Sequence, residues 1–289
     1  MKHDPGIVGK VALVTGVNNP EGIGAAISRA LGALGVAVVG TYFRAPYGGD
    51  EPSVPGPQRY RYLQSFDARH TVDVVRAAGG RMEAVEADLA DPAQPARIFD
   101  AAEATFGLVE ILVNNAAYSV PDSLLPDALT LGHPSAGGIA IQRFDIDRHD
   151  RHFQVNVRAA ALLMREFMKR HVARGAGWGR IVSISTDGAS GFPSEVSYGA
   201  SKRALESITR AAAAEFGPYG VTCNVASLGP IQTGYIAPEA QSRIVQDTPL
   251  RRVGSPDDVA STVAFLCSDQ AGWLTGQLIY VGGGHAMPL

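Results

Sequence analysis

Residues 10–24 read KVALVTGVNNPEGIG, and the fold of the chain follows from this stretch. The apolar run at 10–14 is typical of a buried strand, and the residues after Gly22 have the pattern of a helix. The turn between them carries Gly16, Gly22 and Gly24. Glycine lets a ligand approach the backbone closely, and the amides and dipole of a helix N-terminus attract phosphate. A strand, a glycine-rich turn and a helix in this order predict a dinucleotide site.

The rest of the chain repeats the alternation of strand and helix. Short β-branched apolar runs alternate with alanine-rich amphipathic segments, which is the pattern of a parallel sheet with helices on both faces. We predict an α/β fold, a Rossmann-type doubly wound parallel sheet of seven strands, in a single catalytic domain spanning 1–289. The predicted strands are 10–14, 36–41, 81–86, 109–113, 180–184, 221–226 and 277–281. The predicted helices are 22–34, 65–78, 93–106, 148–173, 196–216 and 256–267.

Three segments interrupt this regular pattern. The segments 45–60 and 119–143 are rich in proline and glycine and are predicted to be long loops, which are usually functional or disordered. For 45–60, a surface embellishment without a role is an equal alternative. The 119–143 loop follows the carboxyl end of a strand, where open α/β sheets bind ligands, so we expect it to contact substrate. The segment 234–253 is predicted to be a lid with a short helix.

A pattern of a different kind occurs at Tyr198-Gly-Ala-Ser-Lys202, with Ser185 thirteen residues upstream. Residues four apart on a helix share one face, so the Lys202 ammonium can approach the Tyr198 hydroxyl. A nearby cation favours the charged form of a phenol, so we expect the pKa of Tyr198 to be lowered toward neutrality. Such a phenol can act as a general acid and base.

These motifs, in this order, resemble the short-chain dehydrogenase/reductase family, and most closely its 3-oxoacyl-acyl-carrier-protein reductase-like group. The resemblance extends from residue 10 to 284 and implies hydride transfer between a nicotinamide dinucleotide and a carbonyl or secondary alcohol. It implies that Tyr198 donates the proton and that Lys202 lowers its pKa and holds the nicotinamide ribose. Ser185 would orient the carbonyl, and Asn156 would hold a water that links Lys202 to solvent.

The hydroxyl that orients the carbonyl has two candidates. The family's usual interval, counted back from Tyr198, falls on Ser185. Counted forward from Gly179-Arg180-Ile181, it falls on Thr186. Either hydroxyl can donate a hydrogen bond to a carbonyl oxygen, so the sequence leaves both open.

The resemblance also implies which residues bind the dinucleotide. At the end of the second strand, Thr41-Tyr-Phe-Arg44 carries no carboxylate to hold a ribose 2′-hydroxyl and one guanidinium suited to a 2′-phosphate, so NADP(H) is favoured over NAD(H). The alternative for Arg44 is a solvated loop charge. The predicted cofactor-binding residues are Gly16, Asn18, Gly22, Ile23, Arg44, Asp88, Leu89, Asn115, Ala116, Ala117, Tyr198, Lys202, Gly229, Pro230, Ile231 and Thr233.

The phosphate loop departs from the family pattern. Five residues separate Gly16 from Gly22 where the family has three, and they include Pro20 and Glu21. Proline has no N–H to offer a phosphate, and the Glu21 carboxylate would repel one. We therefore expect this loop to follow a wider path.

Composition limits the other classes of function. A net charge of −3 predicts no binding of nucleic acid or of an anionic membrane. The start of the chain lacks a signal-peptide pattern and no apolar run is long enough to span a bilayer, so a cytoplasmic protein is expected. The only cysteines, Cys223 and Cys267, are expected to be buried apolar residues, and no metal site is predicted.

The predicted partner is a small-molecule ketone, 3-oxoacyl group or secondary alcohol. A carrier-linked substrate would need a basic docking face, for which residues 165–174 offer four cations that are otherwise a solvated face. Alternatives from other classes are a dinucleotide-sensing binding protein and a dehydratase or epimerase that retains NAD(P). By analogy with the family, we expect a homotetramer or homodimer.

Overall fold

The computed structural model describes residues 5–126 and 140–287. Its strands are β1 (Val11–Thr15), β2 (Ala37–Tyr42), β3 (Arg81–Glu86), β4 (Ile111–Asn114), β5 (Asp122–Ser123), β6 (Gln142–Arg143), β7 (Gly179–Thr186), β8 (Val221–Leu228) and β9 (Leu278–Val281). Seven of them form one parallel sheet in the order β3-β2-β1-β4-β7-β8-β9. The predicted doubly wound, seven-stranded α/β sheet is confirmed.

Helices connect the strands. They are α1 (Ile23–Ala33), α2 (Pro57–Gln64), α3 (Arg69–Ala77), α4 (Gln94–Phe106), α5 (Ile146–Phe153), α6 (Ala159–Ala173), α7 (Val196–Phe216), α8 (Pro238–Asp247) and α9 (Pro256–Cys267). A π-helical turn, Gln154–Arg158, joins α5 to α6, and 3-10 turns lie at Asp187–Ser190, Gly217–Tyr219 and Asp269–Ala271. Local sequence sets several helix starts. At α9, for example, the N-cap Ser255 and Asp258 in the first turn form a reciprocal capping box that spans Pro256.

Two buried apolar clusters lie on the two faces of the sheet. Alternate residues of β1 enter different clusters, Ala12 and Val14 one and Val11 and Leu13 the other. The first cluster is completed by α1, α3 and α9, and the second by α4, α6 and α7. Because β1 is buried on both faces, its sequence is a continuous apolar run rather than an alternating one.

The strand order reverses between β1 and β4, and this reversal positions the site. β1 pairs with β2 on one side and with β4 on the other, so the connections that leave β1 and β4 diverge to opposite halves of the sheet. In open α/β sheets the resulting crevice at the carboxyl ends of the strands is where ligands bind.

The structure differs from the predicted pattern around 45–78. The predicted loop 45–60 ends in α2, and the predicted helix 65–78 is shorter, because α3 begins only at Arg69. The boundary follows from Pro57, whose fixed φ favours the first turn of a helix, and from Gly56, which adopts a φ of +152° just before it.

The other two irregular segments also contain short elements. In the 119–143 segment, β5 and β6 pair in parallel over two residues each, whereas residues 127–139 of that predicted loop lie outside the described residues. The predicted lid contains α8, flanked by Gly234 and a turn at 248–251.

A glycine substitution tests the packing of the phosphate loop on α1. A Cβ at Gly24 would lie 2.1 Å from the Gly16 carbonyl oxygen, so the backbone must shift to admit it. We expect Gly24→Ala to lower the free energy of unfolding in urea by about 1–3 kcal/mol. Gly217→Ala is the control, because its helical backbone has open space around the added methyl group. Equal stabilities of the two variants would contradict the close approach of Gly24 to Gly16.

Candidate active site

Several amides of the phosphate loop already have partners, in β2 or within the loop. The N–H groups of Gly16 and Val17 both donate to the Thr41 carbonyl, at 2.8 and 3.0 Å. Asn19 accepts from the amide of Glu21 on its side chain and from that of Gly22 on its carbonyl, both at 2.9 Å. The residues inserted between Gly16 and Gly22 thus form a turn of their own.

The N–H groups left to a phosphate are those at the start of α1. The first amides of a helix have no partner within it, and here they belong to Ile23 and Gly24. A Cβ at Gly22 or Gly24 would meet Asn19 or the Gly16 carbonyl, so glycine at both positions lets the turn pack closely against the start of α1. The turn therefore fits the pyrophosphate of a dinucleotide, held by backbone amides and the helix dipole.

Asn115 braces this turn. Its Nδ2 donates to the carbonyls of Thr15 and Gly16, at 2.8 and 3.1 Å. The Thr15 hydroxyl in turn accepts from the amides of Asn115 and Ala116, both at 2.9 Å. The side chain of Asn115 thus joins the ends of β1 and β4, while Ala116 and the exposed Ala117 lie at the edge of the crevice.

Asn18 joins the phosphate loop to the segment around α2. Its Nδ2 donates to the carbonyls of Phe43, Gln64 and Phe66, at 3.3, 2.8 and 3.1 Å. The side-chain donor of this predicted cofactor residue is therefore used within the protein.

The charged residues predicted to bind the adenosine half are paired. Arg44 makes a two-pronged ion pair with Glu86 at the end of β3, with nitrogen–oxygen distances of 2.9 and 2.7 Å. Nη2 of Arg151 lies 3.0 Å from both carboxylate oxygens of Asp88. The segment Thr41–Arg44 at the end of β2 has no carboxylate, but the neighbouring β3 places the Glu86 carboxylate beside Arg44.

The segment 229–233 lies against the other side of the crevice. The Gly229 amide donates to the Val281 carbonyl at 3.1 Å, and the Pro230 carbonyl accepts from Gly254 at 3.0 Å. Ile231 bridges to the same Gly254, and the Thr233 carbonyl accepts from Asn19 at 3.0 Å. These contacts tie the segment to β9 and to the phosphate loop.

Tyr198 and Lys202 lie on one face of α7, as predicted. The Lys202 ammonium is buried, donates to the Ile184 carbonyl at 2.8 Å and lies 5.7 Å from the centroid of the Tyr198 ring. Burial lowers the pKa of Lys202 to about 8, which the nearby Glu206 carboxylate partly opposes. A buried ammonium thus faces the end of β7.

The expected direction of the Tyr198 pKa shift is wrong. Burial raises the pKa of the half-buried Tyr198, and the acidic groups Glu195, Tyr60, Tyr235 and Asp187 raise it further. The physical reason is that desolvation and neighbouring acids outweigh any effect of the Lys202 ammonium, which is directed to the Ile184 carbonyl.

The two candidate hydroxyls at the end of β7 have different surroundings. Ser185 is buried, and its hydroxyl donates to Glu206 at 2.6 Å. Thr186 is the last residue of β7 and is partly exposed, and its Oγ1 accepts from the Gly188 amide at 3.3 Å. The Ser185 proton is therefore committed to a carboxylate, whereas the Thr186 hydroxyl accepts a bond and keeps its own proton to donate.

Asn156 lies in the π-helical turn, and its carboxamide is fully paired. Its Oδ1 accepts from the Tyr118 amide at 2.8 Å, and its Nδ2 donates to the Tyr118 carbonyl and to the Ser201 hydroxyl, both at 2.9 Å. The side chain thus fixes the chain after β4 against α7. π-Helical turns of this kind occur often at functional sites.

Comparisons with known proteins agree with this geometry. A family model described as enoyl-(acyl carrier protein) reductase matches residues 61–286. The chain is 36% identical over 282 residues to a short-chain type dehydrogenase/reductase of Picea abies, which covers 96% of this chain and 92% of that protein. It is 31% identical over 285 residues to a protein of Arabidopsis thaliana named NADPH-dependent aldehyde reductase-like protein, chloroplastic, with 96% and 95% covered.

A solved structure agrees as well. A double mutant of a Serratia marcescens short-chain dehydrogenase/reductase superposes with a TM-score of 0.78 at 29% identity, covering 99% of this chain and 100% of that one. The chain belongs to the short-chain dehydrogenase/reductase family. It is an oxidoreductase of that family, whose members use NAD(P).

This short-chain dehydrogenase/reductase has acidic residues near Tyr198 that no motif identified. Glu195 is buried, hydrogen-bonds Ser119 and lies within electrostatic range of Asp122 and Tyr198. Asp122 accepts from the amide and hydroxyl of Ser197 at the start of α7. The position of Glu195 three residues before Tyr198 was the only sequence signal, and a lone acid at a helix start is usually a cap.

Phe192 packs near Tyr198, with ring centroids 6.3 Å apart. Tyr235 packs edge-on against Tyr60 of α2 at 5.3 Å, and Tyr118 packs against His152. Ile236 is buried.

Two further features concern residues 5–126 and 140–287. No helix there combines the length and apolar character needed to cross a bilayer. Within the same residues, no group of three or more His, Cys, Asp or Glu side chains is arranged to hold a metal ion.

The buried Glu195 carboxyl predicts a pH-dependent stability. Burial first, and then the Asp122 charge, raise the pKa of Glu195 from 4.5 to about 7. The folded protein thus holds this proton more tightly than the unfolded chain, so its stabilising contribution is complete below pH 4.5 and is lost as the pH rises through about 7. We expect Glu195→Gln to gain up to about 3 kcal/mol relative to wild type between pH ~4.5 and ~8 in urea unfolding.

Glu215→Gln, an exposed change on the same helix, is the control and should follow wild type at each pH. A constant difference between Glu195→Gln and wild type across this range would show that Glu195 does not titrate with a raised pKa.

Proposed function

We propose that this chain is an NADP(H)-dependent oxidoreductase that interconverts a carbonyl, either a ketone or a 3-oxoacyl group, and a secondary alcohol. The observation that carries the proposal is the placement of Tyr198, Lys202 and a free hydroxyl donor at the carboxyl end of β7, beside a turn that fits pyrophosphate. The dinucleotide, when bound, supplies or accepts the hydride. The protein must then supply the proton and orient the carbonyl.

Tyr198 is the proposed general acid and base. As negative charge develops on the carbonyl oxygen, the phenol donates its proton to that oxygen, and in the oxidation it takes the proton back. Reduction needs the phenol protonated at the start, which burial favours by raising the pKa of Tyr198. Lys202, held by the Ile184 carbonyl, is proposed to bind the nicotinamide ribose and to stabilise the phenolate.

Thr186 is the proposed hydroxyl that orients the substrate, in preference to Ser185. The Ser185 hydroxyl is buried and donates a hydrogen bond to Glu206. Donation to a substrate would therefore break a charge-assisted hydrogen bond. Thr186 is partly exposed at the end of its strand and has a proton to donate. Asn156 fixes the Tyr118 backbone through two hydrogen bonds. This region is also proposed to guide a water toward Lys202.

NADP(H) remains the proposed dinucleotide, with a modest preference over NAD(H). The similarity to a relative named NADPH-dependent supports it, as does the exposed guanidinium of Arg44. Glu86, however, neutralises Arg44 and offers a carboxylate that can hold a ribose 2′-hydroxyl. A 2′-phosphate must therefore take Arg44 from Glu86, and measurable activity with NADH is expected.

The carrier-docking hypothesis loses its main support. Arg170 lies between the carboxylates of Asp100, Glu103 and Glu166, and Lys169 lies 3.5 Å from Glu166. This face is therefore largely neutralised and offers little attraction for an acidic carrier protein. A free small-molecule carbonyl compound is the proposed substrate. The cytoplasmic location and the homotetramer or homodimer remain predictions.

Both alternative functions stay less well supported. A dinucleotide-sensing protein could use Lys202 to hold the ribose, but it has no need of a protonated phenol beside that lysine. A dehydratase or epimerase would retain its dinucleotide, so net consumption of NADPH would exclude this alternative.

Replacing the proton donor tests the proposed function directly. We expect Tyr198→Phe to lower kcat by about 100- to 10,000-fold in a ketone-reduction assay, because general acid catalysis contributes about this factor. NADPH binding, measured by fluorescence titration, should stay within about threefold of wild type. A variant that keeps its kcat across a panel of ketones would exclude Tyr198 as the donor.

Two single substitutions decide between the hydroxyls. Thr186→Ala should lower kcat by about 100-fold or more because an oriented hydrogen bond to the developing oxyanion is lost. Ser185→Ala should leave kcat within about tenfold and act mainly on stability, since Oε1 of the buried Glu206 loses its hydrogen-bond donor while Oε2 keeps that of Arg203. The reverse order of the two effects would return the assignment to Ser185.

A further inference from the structure

The phosphate loop carries a carboxylate beside its proposed pyrophosphate site. Glu21 directly precedes Gly22, the N-cap residue of α1, and its side chain is partly buried. A Cβ built on Gly234 would lie 3.1 Å from Oε2 of Glu21, so the carboxylate reaches from the phosphate loop to the end of the 229–234 segment. Both regions are proposed to contact the dinucleotide. An unpaired carboxylate between them would repel a pyrophosphate.

Arg59 of α2 supplies the opposite charge. Its Nη2 donates to Oε1 of Glu21, and its Nη1 donates to the Pro52 carbonyl at 3.0 Å. Glu51, a more exposed acid, lies 3.6 Å from the same Nη1. The Arg59 side chain is 21% exposed, so water screens its pairing with Glu21 less than it screens a surface ion pair.

The segment 45–64, called the strap below, is anchored by contacts that do not involve Arg59. The Gly56 amide donates to the Gly234 carbonyl at 2.9 Å, and the carbonyl of Gln64 accepts from Asn18 at 2.8 Å. Tyr60 packs against Tyr235. Because both ends of α2 are held by other contacts, the guanidinium of Arg59 can be removed without releasing the strap.

We propose that Arg59 is a positioning residue for the dinucleotide, which neutralises Glu21 so that the pyrophosphate can bind at the start of α1. This inference rests on the proposed function. It explains how a phosphate loop with a carboxylate inserted next to its helix tolerates an anionic ligand. It also assigns a role to the strap, whose α2 carries the required charge across the crevice.

The net charge of the Glu21–Arg59 pair predicts how NADPH affinity differs among wild type, two single variants and the double variant. The pair is neutral in wild type, −1 in Arg59→Ala, +1 in Glu21→Gln and neutral again in the double variant. We expect the dissociation constant for NADPH to rise about 10- to 100-fold in Arg59→Ala and to return within about threefold of wild type in the double variant. Glu21→Gln should bind NADPH at least as tightly as wild type.

The measurement is fluorescence titration with NADPH at low and high salt, together with kinetics. The loss in Arg59→Ala should shrink at high salt because screening weakens the repulsion. It should appear in the KM for NADPH with kcat unchanged, which a general loss of structure would not produce. Glu51→Gln is the matched control, since it removes the other acid near Arg59, and it should bind NADPH like wild type.

Three outcomes would overturn the proposal: wild-type affinity in Arg59→Ala, a double variant as weak as Arg59→Ala, or weaker binding in Glu21→Gln. If Arg59→Ala does not fold, Glu21→Gln still tests the sign of the effect. A wild-type protein that binds neither NADPH nor NADH would instead contradict the proposed function, so the two failures are distinguishable.

Discussion

The hydrogen-bonded junction between the ends of β1 and β4 is the constraint on which the rest of the site depends. The side-chain Nδ2 of Asn115 donates to the carbonyls of Thr15 and Gly16. The Thr15 hydroxyl in turn accepts from the two backbone amides that follow β4. The strand order reverses at this point, so the junction fixes the mouth of the crevice. The direction of α1, and with it the free amides at Ile23 and Gly24, follows from this fixed turn.

Burial acts on Tyr198 and Lys202 in opposite directions. Desolvation disfavours both charged forms, so it raises the pKa of the phenol and lowers that of the ammonium. Burial therefore favours the neutral form of each group, the protonated phenol of Tyr198 and the uncharged amine of Lys202. Ile184 and Glu206 keep the lysine placed, through a carbonyl hydrogen bond and a nearby negative charge respectively.

Charges from distant parts of the chain meet repeatedly around the crevice. Arg44, which follows β2, meets Glu86 at the end of the neighbouring β3, and Arg151 of α5 meets Asp88 after β3. Arg59 meets Glu21 in the same way. In each case a charge that looks free in the sequence is neutralised by the fold. Predictions based on the sign of one residue, such as an arginine that favours a 2′-phosphate, are correspondingly weakened.

The chain order of strands, glycines and the Tyr198–Lys202 spacing was enough to predict the parallel sheet, the place of the glycine-rich turn between β1 and α1 and the shared face of α7, because periodicity and local geometry fix these. Sequence could not find the α2 helix in a proline-rich segment, the direction of the Tyr198 pKa shift, or the partners of Ser185 and Arg44. Each depends on burial and on side chains brought together from elements far apart in the chain. The hydroxyl at the end of β7 shows the division: counting residues leaves Ser185 and Thr186 equal, and only the Glu206 carboxylate, supplied by another element, separates them.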